Sequence, residues 1–271
     1  MSRYALIAGN GRFPILALET ARAMGHEIVA IGIREEASPE IETLAARCHW
    51  VSIGQLSRLI EILKEEQLTE LIMAGQVKHV SIFSSIRPDW RLLKVLTSLR
   101  AKNTDALIGG VARVLEDEGI RLVDSTLLLK PLLAGLGPLT KRKPNAEEEK
   151  DVRYGRRVAN RLASLDVGQS VAVCERACVA VEAMEGTDAM LRRAAGLANG
   201  RALRLVKVSR RRRHLLFDVP VAGAATIDVM RETGTTVLAV DAGQTLLLDK
   251  DEMIQRANEA GIAVVGEKAE E

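Results

Sequence analysis

Residues 4–11 spell Tyr4-Ala5-Leu6-Ile7-Ala8-Gly9-Asn10-Gly11, a short apolar run that ends in a glycine-rich turn. The run predicts a buried strand, and the glycines predict a tight connection to the next element. Apolar residues at helical spacing follow from Pro14 to Met24, with a proline near the helix start and Gly25 after its end. The chain therefore opens with a strand, a glycine turn and a helix.

The same alternation continues through the first half of the chain. Strands are predicted at 27–33, 50–53, 70–74 and 120–123, and helices at 55–67, 89–99 and 105–118. Strands that alternate with helices form parallel sheets covered by helices. We expect an α/β protein whose residues 1–130 form a Rossmann-like parallel-sheet domain.

The second half is predicted to be a separate domain. The apolar periodicity stops in a stretch rich in proline, glycine and lysine, which predicts an interdomain linker at 131–150. A helix at about 147–165 and a β-hairpin at 171–183 are predicted next. Further strands and helices up to 265 complete a C-terminal α/β catalytic domain at 151–271.

Composition argues against several classes of protein. The 271 residues are 47% hydrophobic and 27% charged, which is typical of globular proteins. A net charge of +2 argues against a polycationic tail, and three cysteines argue against a disulfide framework. No stretch reaches the roughly 18 apolar residues of a transmembrane helix, and no signal-peptide pattern is present. We expect a soluble, cytoplasmic protein.

The turn Gly9-Asn10-Gly11 is a candidate phosphate-binding site, because backbone amides and the helix dipole favour anions at a strand-to-helix turn. A dinucleotide-binding motif would have a third glycine where Pro14 stands and an acid where Ile33-Arg34 stands, with Glu35 only marginally placed. The turn therefore indicates an anionic, nucleotide-like ligand more than NAD. A tight turn without a ligand is the alternative interpretation.

Gln76 and Lys78 are further candidate ligand groups. They follow the strand predicted at 70–74, at the edge where ligands bind in open α/β sheets. Lys78 would bind a phosphate, and Gln76 would bind a base or a sugar hydroxyl. A surface loop with a solvated lysine is an equal alternative.

Two aspartates are candidate metal ligands. Asp188 follows Gly186 and Thr187, and either Thr187 or Asp188 is expected to cap the helix that begins there. Asp188 could also hold a metal or a ribose hydroxyl. Asp218 lies in the apolar run 215–220, where an acid is costly unless it is paired or bound to a metal. A solvent-facing position on a strand is the alternative.

A basic run extends from Arg204 through Lys207 to Arg210–Arg213, and no acid lies between 202 and 217. Such a run attracts the phosphates of a nucleotide or of a membrane surface. A solvated hairpin turn is the alternative. Nucleic acid is disfavoured, because the overall charge is nearly balanced and aromatic residues do not interleave with the basic ones.

Several stretches together form a specific pattern. They are Met73-Ala74-Gly75-Gln76-Val77, Leu165-Asp166-Val167-Gly168-Gln169-Ser170, Val181-Glu182-Ala183-Met184-Glu185-Gly186-Thr187-Asp188, Phe217-Asp218-Val219-Pro220 and Thr245-Leu246-Leu247-Leu248-Asp249. In this pattern the chain resembles the LpxI-type UDP-2,3-diacylglucosamine pyrophosphatases of Gram-negative lipid A biosynthesis. The resemblance implies two α/β domains and Mg²⁺-dependent hydrolysis of UDP-2,3-diacylglucosamine to UMP and 2,3-diacylglucosamine 1-phosphate (lipid X). Water would attack the α-phosphorus.

The resemblance also implies that Asp218 is the essential aspartate. Magnesium binds few carboxylates, several waters and phosphate oxygens, so Asp188 and Asp218 would suit a catalytic metal site in a cleft between the domains. The expected substrate-binding residues are Gly9, Asn10, Gly11, Gln76, Lys78, Gln169 and Thr187. The chain departs from the family where Arg210 to Leu216 replace a segment of the type Lys-Pro-x-Gln-Asp-x-Arg.

Two other functions stay open on the sequence. One is an NAD(P)-dependent oxidoreductase of the same broad fold, disfavoured by Pro14 and by the missing acid after the second strand. The other is a non-catalytic protein that binds a nucleotide sugar or phospholipid, which the departure at 210–216 motivates. A homodimer is the default for cytosolic enzymes, and contact with the inner face of the inner membrane is expected to be electrostatic and reversible.

Overall fold

The computed structural model describes residues 2–75, 77, 87–99, 104–210 and 219–270. The chain divides into two compact units, Met1–Leu129 and Lys130–Glu271. Both units combine helices with a β-sheet, which confirms the α/β fold class.

The first unit contains a parallel sheet with the strand order β3-β2-β1-β4-β5. Its elements are β1 (Arg3–Ala8), α1 (Phe13–Ala23), β2 (Glu27–Ile33), α2 (Ile41–Leu44), β3 (Arg47–Val51), α3 (Leu56–Glu65), β4 (Glu70–Ala74), α4 (Trp90–Ser98), α5 (Thr104–Asp117) and β5 (Arg121–Leu122). The first strand lies inside the sheet, and the order reverses beside it, as in Rossmann-like folds.

Strand β1 is central because its sequence is apolar on both faces. Ala5, Leu6, Ile7 and Ala8 are all buried, as expected for a strand of a parallel sheet that helices cover. Helix α1 begins at Phe13 and carries its proline in the first turn, where a missing amide costs nothing. The short helix α2 was not predicted, because four residues are too few to show a helical period.

Glycine 75 allows the ends of β1 and β4 to meet. Its φ is +87°, and a Cβ there would lie 2.5 Å from the Asn10 carbonyl oxygen and 2.9 Å from the Gly9 carbonyl carbon. The Gly9 amide donates to the Ala74 carbonyl over 2.8 Å. The close approach therefore requires glycine at this position.

Glu66 joins two arginines and a histidine at the end of α3. Its carboxylate accepts from Arg3 Nη2 over 2.7 Å and from Arg47 Nη1 over 3.0 Å, and His49 Nε2 lies 2.9 Å from Oε1. The hydrogen bond with His49 does most to lower the pKa of Glu66; desolvation opposes it, and the hydrogen bonds from Arg3 and Arg47 add to it. Glu66 is only 7% exposed, so this buried carboxylate ties α3 to β1 and β3.

The second unit contains a mixed sheet with the order β6-β13-β11-β9-β7-β8, in which β6 and β7 run antiparallel to their neighbours. Its strands are β6 (Gly137–Pro138), β7 (Ser170–Cys174), β8 (Ala177–Val181), β9 (Leu203–Lys207), β10 (Val221–Ala222), β11 (Thr235–Asp241), β12 (Leu246–Leu247) and β13 (Ala263–Glu267). Its helices are α6 (Ala146–Ser164), α7 (Thr187–Ala198), α8 (Ala224–Glu232) and α9 (Lys250–Glu259), preceded by a 3₁₀ turn at Lys130–Leu132. Strands β10 and β12 form a separate parallel pair.

The segment predicted as a linker at 131–150 lies within the second unit. Strand β6 pairs with β13, and the Val264 amide donates to Thr140 Oγ1 over 2.9 Å. Arg142 forms two hydrogen bonds with Glu148, at 2.6 and 2.7 Å, and Glu148 is buried. The glycine, proline and lysine content of this segment predicted a linker. In the structure, the segment pairs with the sheet through β6 and is bonded to helix α6 through Arg142.

The predicted hairpin is confirmed as β7 and β8, and its open end depends on Gly168. A Cβ on Gly168 would lie 2.0 Å from the Glu182 carbonyl oxygen. That separation is below any real carbon–oxygen contact, so the backbones of 168 and 182 touch only because this residue is glycine.

None of the helices in the described part of the chain is both long and apolar enough to cross a bilayer.

We predict that Glu66→Gln destabilises the protein at neutral pH by about 1.5–3 kcal/mol, the range for hydrogen bonds to a charged group. Since folding lowers the pKa of Glu66, its stabilisation is fully present above the unfolded value of about 4.3 and is lost as the pH falls through the folded value. Urea unfolding from pH 7 to pH 3 measures this. The exposed neighbour variant Glu65→Gln should change stability by less than about 0.5 kcal/mol. A difference between wild type and Glu66→Gln that stays constant with pH would contradict the assignment.

Gly168→Ala should lower stability by about 2 kcal/mol or more, because the added methyl group cannot fit beside the Glu182 carbonyl without a backbone shift. Gly196→Ala in α7 is the matched control, since a Cβ there meets nothing within 4 Å. That control should stabilise the helix by up to about 1 kcal/mol. Thermal unfolding followed by circular dichroism compares the two, and equal midpoints would refute the close contact.

Candidate functional site

The polar residues of the second unit gather at one edge of its sheet. Ser170, the first residue of β7, pairs with Lys207, the last residue of β9. Glu182 follows β8, and its amide donates to the Ser170 carbonyl over 2.9 Å. Because β7 runs antiparallel to both neighbours, its start meets the ends of β8 and β9. Helix α7 begins beyond this edge, at Thr187.

Thr187 is the centre of a buried group of residues, the Thr187 cluster, which also contains Ser170, Glu182 and Lys207. The Thr187 hydroxyl donates to Glu182 Oε1 over 2.9 Å and accepts from Lys207 Nζ over 3.0 Å. Ser170 Oγ lies 3.4 Å from the same hydroxyl oxygen. No member is more than 9% exposed. The cluster therefore holds an ammonium and a carboxylate together beneath the surface.

The hydrogen bonding around this cluster is incomplete within the part of the chain that the structure describes. There, Glu182 Oε2 is buried without a hydrogen-bond partner, and so is Gln169 Oε1 on the residue before β7. Gln169 and Asp188 are each half-exposed and are next in sequence to members of the cluster. Buried acceptors without donors are costly, so the site suits a bound molecule that brings donors.

Helix α7 begins without a side-chain cap, which corrects the expectation that Thr187 or Asp188 caps it. Gly186 is the N-cap residue, with a φ of 83°, and it has no side chain that could cap the first-turn amides. The reason is that Thr187 lies inside the helix and its hydroxyl is engaged by Glu182 and Lys207. The amides of this turn can therefore bind an anion.

A second buried network holds the residues that follow β9. Asp241 accepts from Arg156 Nη1 over 2.7 Å, and from the amide and hydroxyl of Ser209 over 2.7 and 3.0 Å. Arg156 also donates to the Lys268 carbonyl over 2.7 Å. A charge pair this deeply buried requires such additional hydrogen bonds. The network fixes the backbone at Ser209, directly after the Thr187 cluster.

The described members of the basic run do not form one solvated surface. Arg204 Nε lies 3.3 Å from Asp151 Oδ2, and Arg210 Nη1 lies 2.5 Å from Asp166 Oδ1. Lys207 is buried in the Thr187 cluster. Cations that are close in sequence are therefore separated in the structure. Arg204 and Lys207 lie on different faces of β9, and the arginines pair with acids that are distant in sequence.

Asp218 lies outside the described residues, and so do Gln76, Lys78 and the stretch Arg211–Leu216. Their assigned roles stay predictions.

In the first unit, Gly9, Asn10 and Gly11 form the predicted turn between β1 and α1, with a φ of +96° at Gly11. Asn10 Nδ2 donates to Glu36 Oε2 over 3.3 Å. The sequence offered only Glu35, marginally, as the acid of a dinucleotide motif, whereas the structure places Glu36 beside the turn. The chain after β2 brings Glu36 back to the turn, whereas Glu35 accepts from the Ile53 amide over 3.3 Å.

The described donor set fits a sparse magnesium site rather than a cage. No group of three or more His, Cys, Asp or Glu side chains among the described residues is placed to hold a metal ion. Asp188, half-exposed in the first turn of α7, can supply one carboxylate. Glu182 shares its cluster with the Lys207 ammonium, which disfavours a second cation there. Mg²⁺ commonly binds one or two carboxylates and keeps several waters.

Sequence reasoning did not assign roles to Glu182, Ser170 or the Arg156–Asp241 pair, and it treated Lys207 only as part of the phosphate-attracting basic run. Lys207 was grouped with the arginines of the basic run, although it is the last residue of β9, a strand whose residues are mostly buried. A charged residue at the end of a buried strand is the signal that could have found both Lys207 and Asp241.

Solved structures with a similar arrangement are only distantly alike. The biotin carboxylase domain of a thermophilic 2-oxoglutarate carboxylase, solved with ADP, is 12% identical with a TM-score of 0.28, over 62% of this chain and 34% of that chain. UDP-glucose 4-epimerase from Bifidobacterium longum, solved with NAD⁺ and UDP, is 13% identical with a TM-score of 0.29, over 54% of this chain and 41% of that chain. Likeness at this level carries no argument about function.

Relatives by sequence are much closer. The LpxI N-terminal domain family matches residues 3–132, and the LpxI C-terminal domain family matches residues 135–265. The UDP-2,3-diacylglucosamine pyrophosphatase LpxI of Caulobacter vibrioides is 33% identical over 276 residues, which cover 98% of each chain. Because these matches extend through both units and confirm the resemblance found in the sequence, the chain belongs to the LpxI family.

Proposed function

We propose that this protein hydrolyses the pyrophosphate bond of UDP-2,3-diacylglucosamine, giving UMP and 2,3-diacylglucosamine 1-phosphate in lipid A biosynthesis. The observation that carries the proposal is the match to the Caulobacter vibrioides pyrophosphatase over 98% of both chains. The chain therefore has counterparts of both units of that enzyme, not of a nucleotide-binding unit alone.

The described residues support this chemistry at two places. In the first unit, the Gly9-Asn10-Gly11 turn leads into the N-terminus of α1, which favours a phosphate, and Glu36 beside the turn suits a ribose hydroxyl. In the second unit, the first turn of α7 offers amides without a side-chain cap, and Asp188 lies in that turn. Both are suited to a nucleotide diphosphate-sugar.

Asp188 and Asp218 would hold Mg²⁺, which when bound neutralises phosphate charge and lowers the pKa of a bound water. Asp188 contributes a half-exposed carboxylate. Thr187 fixes the start of α7 through Glu182 and Lys207, so the adjacent Asp188 backbone is held firmly. A water molecule would attack in line at the α-phosphorus, and the sugar phosphate would leave.

Exposed apolar side chains near the Thr187 cluster are suited to the acyl chains. Leu165 is 71% exposed and Met184 is 75% exposed, and Val167 is also exposed. They lie on the two segments that touch where Gly168 meets the Glu182 carbonyl. Reversible membrane contact through Arg210–Arg213 remains a prediction from the sequence.

Hydrolysis of UDP-2,3-diacylglucosamine should proceed in Mg²⁺ and should stop with EDTA, because Asp188 and Asp218 can act on the pyrophosphate only with the metal that neutralises it. UMP release measured with and without EDTA tests this, with re-addition of Mg²⁺ as the control. Tight substrate binding without turnover in Mg²⁺ would support a non-catalytic binding protein instead. NAD⁺ binding without UMP release would favour the oxidoreductase.

Asp218→Asn should lower the rate of hydrolysis by at least about 100-fold, because the amide keeps the size of the side chain but removes its charge. Substrate affinity should be retained or improved, since repulsion between the carboxylate and the pyrophosphate is relieved. The exposed variant Asp251→Asn is the matched control and should hydrolyse at the parent rate. A rate for Asp218→Asn close to that of the parent would show that this residue is wrongly assigned.

A further inference from the structure

We propose that Lys207 and Glu182 form a subsite for a phosphorylated sugar, in which Lys207 binds phosphoryl oxygens and Glu182 accepts a hydrogen bond from a sugar hydroxyl. The proposal rests on the proposed function, because it assigns these residues to the sugar-phosphate parts of the same substrate. In the sequence, Lys207 belongs to the basic run that attracts phosphates, and Glu182 has no predicted role.

Among the described residues, Lys207 has more donors than acceptors. An ammonium has three N–H groups, and Thr187 Oγ1 at 3.0 Å is the acceptor that the structure gives to Nζ. Lys207 is 7% exposed. A buried ammonium stabilises an anion beside it far more than a solvated one does, because its charge is weakly screened.

The start of α7 adds backbone N–H donors that favour the same kind of ligand, an anion. Thr187 is the first residue of this helix of 12 residues, and the N-cap residue Gly186 has no side chain to cap the first amides. The hydrogen bond from Lys207 to Thr187 places the ammonium at this helix terminus. Two independent features, a helix N-terminus and a buried cation, therefore favour the same phosphoryl group.

The acceptors beside them point to hydroxyl groups. Glu182 Oε2 and Gln169 Oε1 are both buried without a donor. Inorganic phosphate at neutral pH would satisfy Lys207 and the amides but would bring few hydrogen atoms to these oxygens. A sugar phosphate carries phosphoryl oxygens and hydroxyl donors on one small molecule, so it can satisfy both sets.

Glu182 also keeps the subsite electrically balanced. Its other oxygen, Oε1, accepts from the Thr187 hydroxyl, which in turn accepts from Lys207. Removing either charge alone would leave the other buried without compensation, which is destabilising. The double variant removes both charges and therefore separates binding from folding.

The test is equilibrium titration of the full chain with glucose 1-phosphate, UMP and inorganic phosphate, for Lys207→Met, Glu182→Gln and the double variant. Lys207→Met should weaken all three probes at least about tenfold, which corresponds to about 1.4 kcal/mol. Glu182→Gln should weaken a sugar phosphate several-fold and leave inorganic phosphate nearly unchanged. Preference for glucose 1-phosphate or for UMP identifies which sugar phosphate of the substrate occupies the subsite.

The exposed variant Lys150→Met is the matched control and should bind like wild type. Thermal unfolding verifies that each variant is folded, and the double variant decides the result if Lys207→Met is not. Wild-type affinity of the folded double variant for both sugar phosphates would overturn the subsite. UMP release by wild type is measured separately: its absence refutes the proposed function, whereas a loss of binding in Lys207→Met still supports the subsite.

Discussion

The Thr187 hydroxyl has one hydrogen to donate, and the arrangement of the second unit's polar edge depends on where it goes. Because Thr187 donates this hydrogen to Glu182, its hydroxyl oxygen can accept from Lys207. The Glu182 carboxylate and the Lys207 ammonium therefore both bind the Thr187 hydroxyl. Thr187 is also the first residue of α7. One hydroxyl group thereby links the start of α7 to the ends of β8 and β9. These hydrogen bonds fix the position of the site.

Much of the fold could be predicted because its signals are local. The apolar run Ala5–Ala8, its glycine turn and the helix after it are encoded within some 20 residues, and the β7–β8 hairpin within a dozen. The segment 131–150 was predicted as a linker from its local composition, since its partners, such as Thr236 and Val264, are far away in sequence. The local composition is typical of a flexible segment, whereas the buried Glu148 binds Thr236 of the sheet.

The site was predictable only in part, for the same reason. Thr187 and Asp188 were predicted as site residues because they follow a glycine at a helix start. Lys207 and Glu182 were not, since their roles arise when β7 brings Ser170 between the ends of its two neighbours. Glu36 was missed because the chain after β2 returns to the turn. The sequence shows the chemistry of each side chain, but strand pairing decides which side chains become its neighbours.

The hydrogen bond from Arg156 to the Lys268 carbonyl has a consequence for biosynthesis. On the ribosome, the sheet of the first unit has all its strands once residue 122 has emerged, so that unit can fold early. Helix α6 emerges long before Asp241 and Lys268, the groups that satisfy the guanidinium of Arg156. The second unit must therefore wait for its last strand, and during that interval an incomplete, exposed sheet is open to chaperones and to aggregation.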